Sequence, residues 1–303
     1  MASRLRRSES GVAGVQRMLR RETKRAVRAM GSGHAPRGEA IHDARKRLKK
    51  ARAALRLART ALSKDEYRWE NDTLRDAARP LSEVRDAQAL IDTLDDLARR
   101  GTPAQRQTFR TIRARLTAAG RTLRRRQFRE KNILPAIREV VRHVRNRASH
   151  WPTGGGWSVL SRGLERVYRA GRDSYQTVRK EASNENLHEC RKQAKYLWHQ
   201  LQLLEAVRPG RMKRLERGAH ALSGRLGDDH DLAVLRDKIE AARLMLPQGA
   251  LSWIEPIIES RRSELQRDAL ALAHRLYSAA PSRFVGRVGA DWHAWRSRRK
   301  PRR

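Results

Sequence analysis

The chain has 303 residues, with 69 lysines and arginines against 33 aspartates and glutamates, and so a formal net charge of +36. Its 39% of hydrophobic residues recur at helical spacing, which excludes wholesale disorder, while the excess charge indicates an anionic partner such as a nucleic acid, a membrane surface or a phosphate polymer. A single cysteine excludes a disulfide framework and no apolar run could span a membrane, so we expect a cytoplasmic protein that does not insert into membranes.

The first half of the chain reads as a series of helices. Apolar residues recur at helical spacing in residues 11–30, 42–62, 64–100 and 104–150. Opposite its apolar side, the first of these helices carries a basic stripe formed by Arg17, Arg21 and Lys24. Ser63 is the predicted N-cap of the third helix, Pro80 must kink or restart that helix, and Pro135 is a candidate break in the fourth.

Two helices, one in each half, carry the same basic motif, His-x-x-Arg-Lys-x-x-Lys. Its residues are His42, Arg45, Lys46 and Lys49 in the first copy and His188, Arg191, Lys192 and Lys195 in the second. At about 100° per residue, the four residues of a copy share one face of the helix, opposite an apolar stripe. Three like charges on one face oppose folding by roughly a few tenths of a kcal/mol per pair, so a motif written twice indicates a polyanion that neutralises it. Arg52 and Arg56, further along the first of these helices, are additional candidates.

The motif is part of an internal repeat of about 145 residues. The segment 151–156 reads as a linker near mid-chain, and beyond it the series of helices restarts. The first basic stripe reappears 145 residues later as Arg162, Arg166 and Arg169. The segment 226–231 matches 81–86 at the same spacing, which pairs Asp231 with Asp86.

The repeat, together with the lack of a convincing strand, predicts an all-α fold of two pseudo-symmetric four-helix bundles. We assign residues 8–150 to the first bundle and 157–280 to the second, within a single domain at 8–280. Residues 281–303 are basic and poor in apolar residues, and we expect them to form a disordered C-terminal tail.

The acidic residues beside the motifs favour a supporting role over catalysis. Asp86 and Asp231 are read as carboxylates that orient neighbouring Arg and Lys side chains, rather than as acid–base catalysts, because a carboxylate in such a cationic field stays ionised. The cluster at 228–231 looks like a metal site, but adjacent helix positions point about 100° apart and cannot all ligate one ion. We find no catalytic set of residues, and expect no metal, no cofactor and no enzymatic activity.

The doubled motif and the Leu-Gly-x-x-x-Asp segment from Leu226 to Asp231 resemble the CHAD family, the conserved histidine α-helical domain. The resemblance covers roughly residues 8–280. It implies two four-helix bundles about a pseudo-two-fold axis, a central basic cavity that binds inorganic polyphosphate, and recruitment to polyphosphate granules. The eight motif residues would then contact phosphate. The first copy has Ser82 and Arg85 where the second has Gly227 and His230, and we count Arg85 and His230 among the candidate ligands.

The sequence therefore predicts a non-enzymatic module that binds inorganic polyphosphate through a basic groove or cavity lined by the two motif helices. His42 and His188 lie on the cationic side of their helices, which favours hydrogen bonds to phosphate over a packing role. The alternative is a nucleic-acid-binding protein without sequence preference. Aromatic residues disfavour it, because they make up only 5% of the chain and are absent from both motifs, whereas single-strand binders use aromatic platforms. Trp292 and Trp295 could stack on bases or lie on the bundle, and the oligomeric state stays open.

Overall fold

The computed structural model describes residues 4–31, 38–103, 105–242 and 246–297, and every regular element in these ranges is helical. The α-helices are α1 (Gly11–Ala29), α2 (Gly38–Leu57), α3 (Lys64–Ala98), α4 (Arg106–Arg125), α5 (Ile133–Arg147), α6 (Trp157–Lys180), α7 (Asn184–Leu203), α8 (Pro209–Ala241), α9 (Ala250–Leu276) and α10 (Pro281–Ser297). Short 3-10 turns follow α2 and α5, and a π-helical turn, Arg126–Glu130, extends α4. The predicted all-α class is confirmed.

Serine caps determine where α3 and α7 begin. Ser63 is the N-cap of α3, as predicted: its Oγ accepts a hydrogen bond from Glu66 N–H at 3.2 Å, and the Glu66 carboxylate accepts one from Ser63 N–H at 3.0 Å. Ser183 caps α7 by accepting from Asn186 N–H at 3.2 Å. These caps satisfy backbone donors that the first turn of a helix leaves unpaired.

The prolines do not divide the helices as predicted. Helix α3 continues through Pro80 and runs for 35 residues, so the predicted restart does not occur. The fourth helical pattern is divided at Asn132, whose φ of 41° lies in the left-handed region, and not at Pro135. Pro135 lies in the first turn of α5, where its missing N–H removes no helical hydrogen bond.

The prediction of a disordered tail is wrong for residues 281–297. They form α10, which packs against α6. The Trp292 ring lies on that of Trp157, with 5.8 Å between centroids, and Asp291 accepts a hydrogen bond from Arg211 at 2.6 Å. Apolar residues at helical spacing, overlooked among the arginines, bury this helix: Phe284, Val285, Val288, Trp292 and Trp295. The two tryptophans therefore lie on the bundle, and residues 298–303 are outside the described ranges.

Two hydrophobic cores hold the helices together, and each combines residues of both halves. The larger extends in sequence from Leu5 to Trp295, and the smaller, from Leu90 to Leu265, lies where α3, α4, α8 and α9 meet. Within the described ranges, the first half contains five α-helices, one more than predicted, and residues 157–280 contain four, the number predicted, with α10 in addition. Helix α2 packs against α7, and α3 packs against α8. The two motif helices therefore pack against each other.

Gly163 allows α6 to cross the end of α2 closely. A Cβ at this position would lie 2.2 Å from Leu57 O and 2.7 Å from Arg56 O, so the two helices would have to separate. We expect Gly163→Ala to lower the free energy of unfolding by about 1–3 kcal/mol, measured by chemical denaturation. Gly224→Ala is the control: that residue is exposed on α8 with open space around it, and the change should be neutral or slightly stabilising. An unchanged midpoint for Gly163→Ala would contradict this close approach.

Candidate functional site

A cavity of about 390 Å³ lies between α2, α3, α7 and α8. Both motif helices and both helices that follow them supply its walls. Its cationic lining comprises Arg45, Lys49, Arg52, Arg191, Lys192 and Lys195, and its other residues are Ser82, Asp86, Leu90, His188, Tyr196, His199, His230, Asp231 and Val234. We call this the central cavity.

Two arginines of the central cavity are held by carboxylates of the neighbouring helices. Arg45 donates to Asp86 Oδ1 at 3.0 Å and to Ser82 Oγ at 3.0 Å. Arg191 lies 3.9 Å from Asp231 Oδ1, and its guanidinium passes over Gly227, where a Cβ would come within 3.4 Å of Nη2. The difference between Ser82 and Gly227 thus has a local consequence: the serine adds a hydrogen bond, while the glycine leaves room for the arginine.

Lys49 and Lys195 are the lysines of the central cavity that form no ion pair among the described residues, whereas Lys192 is paired with Glu189. Burial, with the charges of Lys195 and Arg45, lowers the pKa of Lys49 to about 6. Burial, with the charges of Arg191 and Arg45, likewise lowers the pKa of Lys195 to about 8. Within the described ranges, neither amine forms a hydrogen bond or an ion pair, and the charges of Asp86 and Asp231 offset only part of the lowering. Near pH 7 Lys195 is therefore mostly charged and Lys49 mostly neutral, and an anion entering the cavity would favour protonation of Lys49.

Histidines form a further part of the wall. The rings of His188 and His230 lie 4.9 Å apart between centroids. Burial lowers the pKa of both; the partner ring and Arg191 add to the effect for His188, and Arg191 adds to it for His230. His199, further along α7, is buried, and burial lowers its pKa to about 3. All three rings are therefore neutral near pH 7, and His188 and His230 each offer one N–H donor, whereas His199 Nδ1 lies 3.4 Å from Gln202 Oε1, which can only accept.

Sequence reasoning missed Tyr196 and His199. They follow Lys192 and Lys195 on α7 at the i, i+3, i+4 and i+7 spacing of a single helical face, so extending the motif by one turn would have found them. Arg56, a predicted ligand, does not line the central cavity. Its guanidinium carbon lies 3.8 Å from the centroid of the Tyr196 ring and covers one face of it.

The structure leaves some predicted ligands outside the central cavity. His42 and Lys46 are exposed on α2, and His42 borders with Arg85 a neighbouring cavity between α2, α3 and α4. The physical reason is the position of α3, because its positions 82, 86 and 90 face the central cavity while 84, 88 and 91 face the neighbouring one. The expectation of a single site for all eight motif residues is corrected accordingly.

The basic stripes of α1 and α6 also lie outside the lining of the central cavity. They comprise Arg17, Arg21, Lys24, Arg162, Arg166 and Arg169. Arg17 donates to the Glu9 carboxylate at 2.8 Å, and Arg169 is paired with Glu165 at 2.5 Å. These side chains belong to the outer surface and do not complete the cavity.

The family model of the CHAD domain matches residues 17–240 of the chain. The chain belongs to the CHAD family. The matched part of this CHAD protein contains both motif helices and the carboxylates Asp86 and Asp231, and α9 and α10 follow it. The family prediction made from the doubled motif is confirmed. No curated protein matches the chain in sequence.

Other features of this CHAD protein concern metals, thiols and membranes. In the described ranges, no group of three or more His, Cys, Asp and Glu side chains is placed to hold a metal ion. Cys190 is buried, and burial raises the pKa of its thiol to about 11, so the group stays protonated near pH 7. None of the helices that the structure describes combines the length and the apolar character needed to cross a membrane.

Proposed function

We propose that this CHAD protein is a non-enzymatic module that binds inorganic polyphosphate in its central cavity. The family is one that binds polyphosphate, which gives the ligand class. The observation that carries the proposal is the pair Lys49 and Lys195, two half-buried lysines with lowered pKa values that face one cavity and form no ion pair among the described residues. A phosphate chain supplies closely spaced negative charge in a form narrow enough for such a cavity.

Each side chain of the central cavity has a role in this proposal. Arg45 and Arg191, oriented by Asp86 and Asp231, present donors to phosphate oxygens, since a guanidinium matches the geometry of two such oxygens. Lysines act as mobile point charges beside them. His188 and His230 donate N–H groups. Because one motif helix comes from each half, these groups would lie on both sides of the polyphosphate chain.

The basic surface outside the cavity serves attraction and tethering in this proposal. The stripes of α1 and α6 extend the positive field, which raises the local concentration of a polyanion. Through this field and the central cavity, the protein would be recruited to polyphosphate granules. The exposed motif residues His42 and Lys46 would take part at the rim.

Binding of nucleic acids without sequence preference is the second candidate, and net charge alone supports it as well. The cavity offers one aromatic side chain, Tyr196, whose ring is already stacked on one face by Arg56. Proteins that hold single strands depend on free aromatic faces for base stacking. The arrangement therefore favours a ligand without bases.

A competition assay distinguishes the two ligands. We expect long polyphosphate to displace labelled RNA at matched phosphate concentration and near-physiological salt, whereas duplex DNA displaces it poorly. Both affinities should fall with added salt, because bound polyanions release counter-ions. The measurement is fluorescence anisotropy at fixed salt, repeated across a salt titration. Equal affinities for polyphosphate and nucleic acid at every salt concentration would favour the second candidate.

A further inference from the structure

A second cavity, of about 420 Å³, lies between α2, α3 and α4. Its basic residues are His42, Arg85, Arg121 and Arg124, and its acidic ones are Glu39 and Asp92. Arg85 is paired with Asp92 at 3.3 Å, so one of the carboxylates is already neutralised. The hydroxyl of Thr117 is buried in the wall and has no hydrogen-bond partner among the described residues. The second cavity thus combines surplus positive charge with an unused donor.

The corresponding place in the second half is filled by side chains. There Arg262, only 6% exposed, donates to Asp229 Oδ1 at 3.0 Å and to Asn184 Oδ1 at 2.7 Å. Gln266 also donates to Asp229 Oδ1, at 2.9 Å. This buried ion pair closes the space between α7, α8 and α9.

The first half lacks every part of that ion pair. At the repeat spacing of 145 residues, Thr117 occupies the position that corresponds to Arg262. Val84 corresponds to Asp229, and Arg121 corresponds to Gln266. A threonine is far shorter than an arginine, so the space stays open. Because valine replaces the carboxylate, the added cation Arg121 has no ion-pair or hydrogen-bond partner in the part of the chain that the structure describes.

The second cavity and the central one adjoin each other across α2 and α3. On α3, Arg85 faces the second cavity and the next residue, Asp86, faces the central one. On α2, His42 and Arg45 are separated by about 4.5 Å of helix rise. After burial, the charges of Arg85 and Arg45 are the largest influences that lower the pKa of His42, so these groups lie in one another's field.

We infer that the second cavity binds a further stretch of the polyphosphate chain as the chain leaves the central cavity across α2 and α3. The inference rests on the proposed function and adds the side on which the polyphosphate chain leaves the central cavity. The chain extends on the side of the first half, because the Arg262–Asp229 pair closes the other side. Arg121 and Arg124 contact the extended chain, while a ligand as short as tripolyphosphate occupies the central cavity alone.

The test compares a long polyphosphate with tripolyphosphate, using isothermal titration calorimetry on the full chain. In Arg121→Gln with Arg124→Gln, we expect affinity for the long polymer to fall about tenfold, and affinity for tripolyphosphate to change less than about twofold. Arg106→Gln with Arg110→Gln is the matched control, since these arginines lie on the same helix and line a different groove. It should change both affinities by less than about threefold.

A charge-neutral variant separates the cavity from bulk attraction. Thr117→Arg with Val84→Asp rebuilds the ion pair of the second half and fills the second cavity without changing net charge. This variant should lower affinity for the long polymer as the arginine double variant does, and it should leave affinity for tripolyphosphate nearly unchanged. A thermal melt checks that the helices persist. Unchanged long-polymer affinity in both variants, or an equal loss in the Arg106 and Arg110 control, would overturn the inference while leaving central binding intact. If the unmodified protein binds neither polymer, the proposed function fails and this inference fails with it.

Discussion

Replacing Lys49 and Lys195 by methionine should weaken polyphosphate binding about a hundredfold and, at the same time, make the unliganded protein more stable. Hydrogen bonds to charged groups contribute roughly 1.5–3 kcal/mol each, and about 1.4 kcal/mol corresponds to a tenfold change in affinity. The stability gain follows from the same environment. Both amines are half-buried beside Arg45 and Arg191, and methionine keeps the length of the side chain while removing the amine.

Titration calorimetry gives the affinity, and differential scanning calorimetry gives the stability. Lys238→Met with Arg283→Met is the matched control, because it removes two exposed positive charges that line neither cavity. We expect that control to lower affinity by less than about threefold, since exposed charges are screened by salt within about 10 Å. Equal losses from the two double variants would show that binding follows net charge and that the central cavity has no special role.

Affinity for polyphosphate should fall as the pH rises from about 6.5 to about 8.5. In the free protein the pKa of Lys49 is about 6, so the group is mostly neutral at pH 7.5. A bound phosphate chain favours the ammonium and raises that pKa, so the complex holds more protons than the free protein above pH 6. For each proton taken up on binding, affinity falls by at most about tenfold for each unit by which the pH rises. Lys195, with a pKa of about 8 in the free protein, adds its own contribution only at higher pH.

Proton uptake can be measured directly by calorimetry in two buffers with different ionisation enthalpies. The inner phosphates of a long polymer stay ionised over this pH range, so the protons go to the protein. Lys49→Met should remove the part of the pH dependence between about pH 6.5 and 7.5. A flat affinity profile with no proton uptake would contradict the assignment of Lys49 as a buried ligand.

The unliganded protein should respond to pH in the opposite sense. The pKa of Lys49 is about 6 in the folded chain and returns to its ordinary value of 10.5 on unfolding. Between these values the unfolded chain holds more protons, so the contribution of Lys49 to the free energy of unfolding rises with pH. Its destabilising effect is complete below about pH 6 and vanishes above about pH 10.5. Chemical denaturation of the parent and of Lys49→Met at several pH values isolates this slope.

Much of the fold was determined by the sequence alone. Amphipathic periods and the Ser63 cap located most of the helices, and the repeat spacing matched the later elements, with Gly38 and Asn184 opening α2 and α7 146 residues apart. The periodicity of a helix also determines which residues share a face. That is why the motif placed Arg45 and Lys49 correctly beside each other and opposite the apolar stripe.

The C-terminal helix shows where a reading from composition failed. Arginines among residues 281–297 masked a set of apolar residues at helical spacing, and burial against α6 stabilises a helix that its own propensity would leave marginal. The prediction failed because the positive charge of this segment was given more weight than the helical spacing of its apolar residues.

The composition of the two cavities was decided by tertiary structure. A basic stripe spans about 100° of α2, but α3 crosses beside it, so Arg45 and Lys49 face the central cavity while His42 faces another. The low pKa of Lys49 likewise depends on α7, which brings Lys195 towards it and excludes water. Burial and the distances between charges on different helices arise only when the helices pack. The sequence therefore determined which residues could bind an anion, and the packing of α2, α3 and α7 determined which of them share a site.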